Sequence, residues 1–282
     1  MKYLVVKGWL GFGDRLQSLR MAIEFALTNN LQIYVDWSDS IWSHSGESFY
    51  SYFKLIDIPQ LNSLDDIPEN ATYYPTFWKE NIKKPFSEEI WKEQREKIDI
   101  GIPSNAISAD VVVLSSIGRR RTYNDNTFLA NRLRVIHPTI LEKVKERQQQ
   151  YNLFKCLGVH IRGTDRIKGH GREIPIQKIV VKVFMYKVLP MVVVSDDKES
   201  IEIWKRFYPQ TSVLSSINDT SRKGNHNASK DELTISKDQF NINTLIDFFT
   251  LMSCAQLVST YSDSRFFQEA RTLHPHISAF LS

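Results

Sequence analysis

The start of the chain constrains the fold most: a short apolar run, a glycine-bearing loop, an amphipathic stretch and a second apolar run follow one another directly. Tyr3 to Val6 reads as a buried strand and Gly8 to Gly13 as the loop. Asp14 to Thr28 reads as a helix that places Leu16, Leu19, Ile23 and Ala26 on one face. Gln32 to Val35 is then a strand ending at Asp36 and Trp37. Strands joined through a helix run parallel, because a tight turn can only return the chain antiparallel. The opening therefore predicts a βαβ unit and an α/β fold.

The alternation resumes further on. Val111 to Leu114 is a strand followed by the basic loop Arg119-Arg120-Arg121, and Pro138 to Tyr151 is a charged helix. Strands are then expected at Leu153 to His160, Met191 to Val194, Ser212 to Leu214 and Gln256 to Ser259. Helices are expected at Ser200 to Phe207, Asn241 to Ser253 and Ser264 to Leu273. The β-branched run Ile176 to Val188 suits a strand by composition, but its place between two parallel strands asks for a crossover, so a helix is predicted. Ser38 to Asp110 is rich in aromatics, Pro, Asn and Asp, with a helical tract at Glu88 to Ile98, and Ser215 to Lys230 is a polar loop. Two βαβ halves result, residues 1–151 and 152–282.

A chain of 282 residues with 42% hydrophobic content can fill such cores. Its 36 basic and 32 acidic residues leave a formal charge of +4, which permits an anionic ligand but is no footprint of a nucleic-acid binder. Cys156 and Cys254 both lie in apolar runs, so buried thiols in a reducing compartment are expected rather than a disulfide framework or a zinc site. No apolar run approaches the roughly 18 residues of a membrane span, and Met1 to Gly13 lacks a signal-peptide pattern, so a soluble, cytoplasmic protein is expected.

Charged and hydroxyl residues concentrate where the expected strands end, which is where α/β sheets place their ligands. Gly158-Val-His-Ile-Arg-Gly-Thr-Asp165 sets His160 and Arg162 two residues apart, on one side of a strand, so that a hydrogen-bonding ring and a phosphate-binding fork face one crevice. The plain alternative is a buried strand with a surface Arg-Asp pair. Gly8-Trp-Leu-Gly-Phe-Gly-Asp14 follows a strand and opens a helix, so Gly11, Gly13 and Asp14 could bring backbone N–H groups to a phosphate or sugar. Leu16 stands where a dinucleotide fingerprint has its third glycine, and neither a Walker lysine motif nor a nucleophile elbow occurs. Ser195-Asp196-Asp197 could bind hydroxyls, pair with basic loops, hold a divalent ion, or cap the next helix. Thr260 to Arg265 offers hydroxyls at a helix N-terminus, where Asp263 would repel a diphosphate but could serve as N-cap.

Taken in order, His160-x-Arg162-x-x-Asp165, Ser195-Asp196-Asp197, Gly224-x-His226-Asn227, Asp247, Thr260-Tyr-Ser262 and Thr272-Leu-His-Pro275 resemble the α1,6-fucosyltransferases, both the eukaryotic core enzymes and the rhizobial chitooligosaccharide branch. Gly11-Phe-Gly-Asp14 and Val35-Asp-Trp37 resemble the rhizobial branch in particular, while Ser38 to Asp110 is not covered. The resemblance implies a GT-B fold, two Rossmann-like domains facing a central cleft, with residues 1–151 on the acceptor side and 152–282 holding GDP-fucose. It also implies inversion at the anomeric carbon, no cofactor and no metal. By similarity His160 and Asp247 would contact guanine, Arg162 the β-phosphate, and Ser262, Asp263 and Ser264 the diphosphate, with Asp165, Asp196 and Asp197 shaping the donor loops. Gly11, Gly13 and Asp14 would lie on the donor.

The chain departs from this pattern at three places. A second arginine of the core enzymes is here Gly163, a serine is Asp263, and the catalytic carboxylate falls on His170, with Glu173 nearby. Either His170 or Glu173 could act as general base. Trp37, Trp42, Tyr50, Tyr52 and Trp78 offer faces for sugar stacking, though such aromatics are more often core. Arg120 and its neighbours would suit an anionic or lipid-linked acceptor, which would bring the protein to a membrane surface; a solvated basic loop is the commoner meaning. A transferase using another nucleotide sugar and a non-catalytic nucleotide or saccharide binder are the competing readings.

Overall fold

The structure is a computed structural model that describes residues 2–94, 108–115, 127–163, 180, 183–186, 188–216 and 230–282. The chain divides into two compact units, Met1–Ile136 with Ser278–Ser282, and His137–Ile277. The division precedes the helix Pro138–Tyr151 instead of following it. That helix buries Ile140, Val144 and Arg147 and lies against a helix of the second unit, so packing assigns it there although the sequence reading closes the first half with it.

In the first unit, β1 (Tyr3–Lys7), β2 (Gln32–Asp36), β4 (Tyr73–Tyr74) and β5 (Val111–Ser115) form a parallel sheet in the order β2-β1-β5-β4. Every residue of β1 and β5 is buried, as expected of parallel strands covered on both faces. Helix α1 (Phe12–Thr28) makes the crossover from β1 to β2 and turns Leu16, Leu19, Ile23 and Ala26 inward. A separate antiparallel pair, β3 (Phe53–Leu55) and β6 (Leu133–Val135), completes the strands described here. Of the expected tract Glu88 to Ile98, α2 covers Glu88–Gln94 and the rest lies outside the described residues. A short helix α3 (Thr127–Arg132) leads into β6.

The second unit holds α4 (Pro138–Tyr151), β7 (Leu157–Ile161), β8 (Met191–Ser195), α5 (Lys198–Phe207), β9 (Ser212–Val213), α6 (Lys237–Met252), β10 (Gln256–Ser259) and α7 (Arg265–Leu273). Its strands are all parallel, in the order β10-β7-β8-β9. Leu157, Val159, Ile161, Val193, Ile201 and Trp204 share one core cluster. The strand expected from Leu153 begins only at Leu157. Asn152 ends α4 in the left-handed conformation at φ 51°, and Leu153–Lys155 make a 3-10 turn that still buries Leu153. Helix α6 starts earlier than Asn241 because Ser236 caps it, accepting from the Gln239 N–H at 3.1 Å. Within the run Ile176 to Val188, Val180 and Val183 are helical and Phe184–Tyr186 is a 3-10 turn; the remainder, apart from Val188 in a turn, lies outside the described residues.

Candidate functional site

Strands β10, β7 and β8 end level with one another. His160 pairs with Ser259 on one side and Val194 on the other, and Ile161 pairs with Ser195. The chain therefore delivers Thr260, Arg162 and Asp196 to one edge of the sheet. The Thr260 N–H donates to the His160 carbonyl at 3.0 Å, and the Arg162 N–H to the Thr260 hydroxyl at 2.9 Å, which carries the pairing beyond the ladder. Asp196 then holds both sides of Arg162: Oδ1 accepts the Gly163 N–H at 2.8 Å and Oδ2 meets the guanidinium Nη1 at 2.8 Å. These side chains remain partly accessible, 18% for Arg162 and 10% for Asp196.

His160 sits differently from the sequence expectation of a ring facing an open crevice. It is 5% exposed and stacked with Phe266 and Phe267, at 5.6 and 6.0 Å between ring centroids. Burial pushes its pKa down to about 4; Asp196 works against that shift and Arg162 adds to it, so the ring is neutral at pH 7. Its Nδ1 lies 2.8 Å from the Ser259 hydroxyl, which also lies 3.0 Å from the Tyr261 carbonyl. A hydroxyl has one proton and a carbonyl only accepts, so both contacts are hydrogen bonds when His160 carries its proton on Nδ1. Nε2 is then the acceptor.

The two adjacent carboxylates separate in role. Asp197 caps α5, accepting the Ser200 N–H at 3.0 Å, so the cap reading holds for it, and Asp196 alone faces Arg162. Gly163 explains the missing second arginine sterically. A Cβ there would lie 2.2 Å from the Asp197 Cβ, so no side chain fits without displacing the start of α5.

Asp247, on α6, faces Arg147 of α4, with Nη1 3.0 Å from Oδ1. Burial raises its pKa, while Arg147 and a hydrogen bond from the Ser215 hydroxyl pull it back. Arg147 was not among the residues the motifs point to. The signal was present, since it continues the buried stripe of Ile140 and Val144 at helical spacing, where a cation needs a partner. On the loop after β10, Ser262 and Asp263 are exposed, and the N-cap of α7 is Ser264, not Asp263.

The first unit corrects two expectations. Trp37 is 1% exposed and packs against Phe12, Trp42, Phe49 and Phe53, so its faces are taken by the core and it is not a stacking platform. Trp42, Tyr52 and Trp78 are buried likewise. In the glycine loop, Gly11 is the N-cap of α1 with an ordinary extended backbone, where a Cβ would make only an ordinary contact with Asp14 Oδ2 at 3.9 Å, and Gly13 and Asp14 lie in the first turn. The N–H groups of Asp14 and Arg15 both turn to the Gly11 carbonyl, at 3.0 and 3.2 Å. The position that requires glycine is Gly8, where a Cβ would meet Arg15 Nη1 at 2.2 Å and Trp37 Cδ1 at 2.3 Å. Arg15 itself is buried in a two-pronged pair with Asp39, at 2.7 and 2.8 Å.

Asp165, His170, Glu173, Arg120, Gly224, His226 and Asn227 lie outside the described residues. Cys156 and Cys254 are both buried free thiols, and burial pushes each pKa up. Among the described residues no group of three or more His, Cys, Asp and Glu is placed to hold a metal ion, and no helix is long and apolar enough to cross a membrane.

By sequence the chain matches no protein-family model and no curated protein. By structure it is similar to fucosyltransferases. Fucosyltransferase NodZ from Bradyrhizobium matches with a TM-score of 0.69 at 16% identity, covering 96% of this chain and 93% of that one. A NodZ α1,6-fucosyltransferase structure soaked with GDP-fucose gives the same TM-score and identity over 97% and 93%. POFUT1 in complex with GDP matches with a TM-score of 0.56 at 11% identity, covering 99% and 97%. At these identities the likeness is one of fold: the chain is mixed α/β with parallel sheets, similar to the fucosyltransferase structures.

Proposed function

We propose that this protein is an inverting glycosyltransferase that moves L-fucose from GDP-fucose to a hydroxyl of a saccharide. The observation that carries the reading is the shared edge of β10, β7 and β8, where Arg162 is fixed by Asp196 beside the neutral His160, in a fold similar to enzymes solved with GDP-fucose and GDP.

In this reading Arg162 binds the β-phosphate and neutralises charge growing on the departing GDP, a charge-assisted contact that strengthens as the sugar leaves. Asp247 accepts from the N1–H and 2-amino group of guanine, a pair of bonds adenine cannot return. His160 offers Nε2 as an acceptor, and Ser262 and Ser264 add donors to the diphosphate. The acceptor hydroxyl loses its proton to His170 or Glu173 and attacks the anomeric carbon from the face opposite GDP. The GT-B division of labour belongs to the same proposal, with the donor on the second unit and the acceptor side on the first. So do turnover without a metal and an acceptor that is anionic or lipid-linked if Arg120 engages it.

Incubating the full chain with GDP-fucose and with other nucleotide sugars, against a panel of saccharide acceptors, tests this. Release of GDP from GDP-fucose with transfer of inverted fucose is the expected result. Release from another donor would replace fucose with that sugar, and tight GDP binding with no turnover would make the protein a binder of the same fold.

A further inference from the structure

Asp247 lies in a network that reaches beyond its ion pair. Arg147 Nη1 donates to Asp247 Oδ1 and to the Thr250 hydroxyl, both at 3.0 Å, and Nη2 donates to the Leu214 carbonyl. The guanidinium is thus tied to two residues of α6 one turn apart and to the backbone just after β9. The Ser215 hydroxyl, which donates to Asp247, accepts the Ser195 N–H at 2.8 Å. Ser195 is followed by Asp196, the residue that grips Arg162. Nothing in the motif set assigns a role to Arg147, which is closed off at 9% exposure and makes no use of its charge on the surface.

We propose that Arg147 is a positioning residue for guanine selectivity: it fixes the Asp247 carboxylate in one orientation and keeps both of its oxygens available as acceptors. This deepens the proposed function and rests on its assignment of Asp247 to guanine. Guanine presents two donors side by side, N1–H and the 2-amino group, and only a carboxylate without a proton answers both. Burial favours the protonated acid, which would set a donor against a donor; a cation at 3.0 Å opposes that. The two further anchors of the guanidinium, the Thr250 hydroxyl and the Leu214 carbonyl, make the orientation a property of the fold and not of the ligand.

The test measures binding of GDP and of inosine diphosphate, which lacks only the 2-amino group, to the full chain and to Arg147→Met, Arg147→Lys, Asp247→Asn and the Arg147→Met/Asp247→Asn double variant, with the melting temperature of each. The original chain is expected to prefer GDP by about tenfold or more, as a site built to accept a donor rejects the analogue lacking it. Arg147→Met should bring that ratio towards one, Arg147→Lys should lie between, and the double variant should bind GDP no more weakly than Asp247→Asn, because both changes act through one carboxylate. A folded Arg147→Met that keeps the GDP-to-inosine preference, or losses that add in the double variant, would overturn the proposal. Should Arg147→Met fail to fold, an unchanged ratio in Arg147→Lys overturns it equally. An original chain that binds ADP as well as GDP sinks the guanine reading itself, which separates that failure from this one.

Discussion

In the first unit Lys7 ends β1 beside Asp36 of β2; in the second, Arg162 leaves β7 beside Asp196 after β8. Both cations stand at the C-terminal edge of a parallel sheet next to a carboxylate from the neighbouring strand. Lys7 is closed to solvent, and its three protons meet three acceptors: Asp36 and the carbonyls of Ile82 and Lys84. Nothing is left for a ligand, and the ammonium clamps a loop over the sheet edge beside Trp78. Arg162 keeps 18% of its side chain accessible, on a backbone fixed by Asp196 and Thr260. The same chemistry at the same topological place serves closure in one unit and a reachable site in the other. What separates them is how much of the cation the rest of the chain covers.

That contrast breaks most readily at Lys7. Lys7→Met leaves Asp36 without its counter-charge and two carbonyls without a donor, and removing one partner of a buried pair costs about 3–5 kcal/mol. Urea unfolding should show that loss, while GDP affinity of the folded protein stays the same; a change in affinity would mean that the first edge also holds the nucleotide. Arg162→Ala should do the reverse. GDP affinity measured by calorimetry falls by about 2–3 kcal/mol, the scale of a hydrogen bond to a charged group, and unfolding stability moves less than that. Unchanged GDP binding would remove Arg162 from the site.

The smallest effect sharpens the second edge and concerns His160. Folding takes its pKa from 6.5 to about 4, so between those values the unfolded chain binds more protons and stability falls as the pH is lowered. The stability is fully present above about pH 6.5 and declines by about 1 kcal/mol per pH unit below it. Unfolding measured at pH 7.5, 6.5 and 5.5 should show this decline in the original chain and a correspondingly shallower one in His160→Gln. Equal slopes would place the imidazole in water instead of between Phe266 and Phe267.

The parallel sheets were legible because continuous apolar runs, spaced by helix-length segments, admit few other arrangements. The strand ends were legible for the same reason, which marked Arg162, Asp196 and Thr260 as strand-end residues, while their shared edge follows from the strand order. Other features were not. Asp196 and Asp197 are neighbours of identical chemistry, and only the start of α5 makes one a cap and the other a partner of Arg162. Trp37 follows a strand as a sugar platform would, yet four rings enclose it. The helix Pro138–Tyr151 closes the first half in the sequence reading, although Arg147 on its inner stripe ties it to α6.

By itself, then, the amino-acid order determined most strands and helices of the two parallel sheets and which residues stand where those strands end, but not β4 or the antiparallel pair β3 and β6. Those properties follow from local periodicity and from the reach of short connections. The tertiary structure alone decided which charges are sealed and which stay within reach, because a side chain's solvent and hydrogen-bond partners come from segments far away in the chain, such as Arg147 for Asp247 and Ile82 for Lys7.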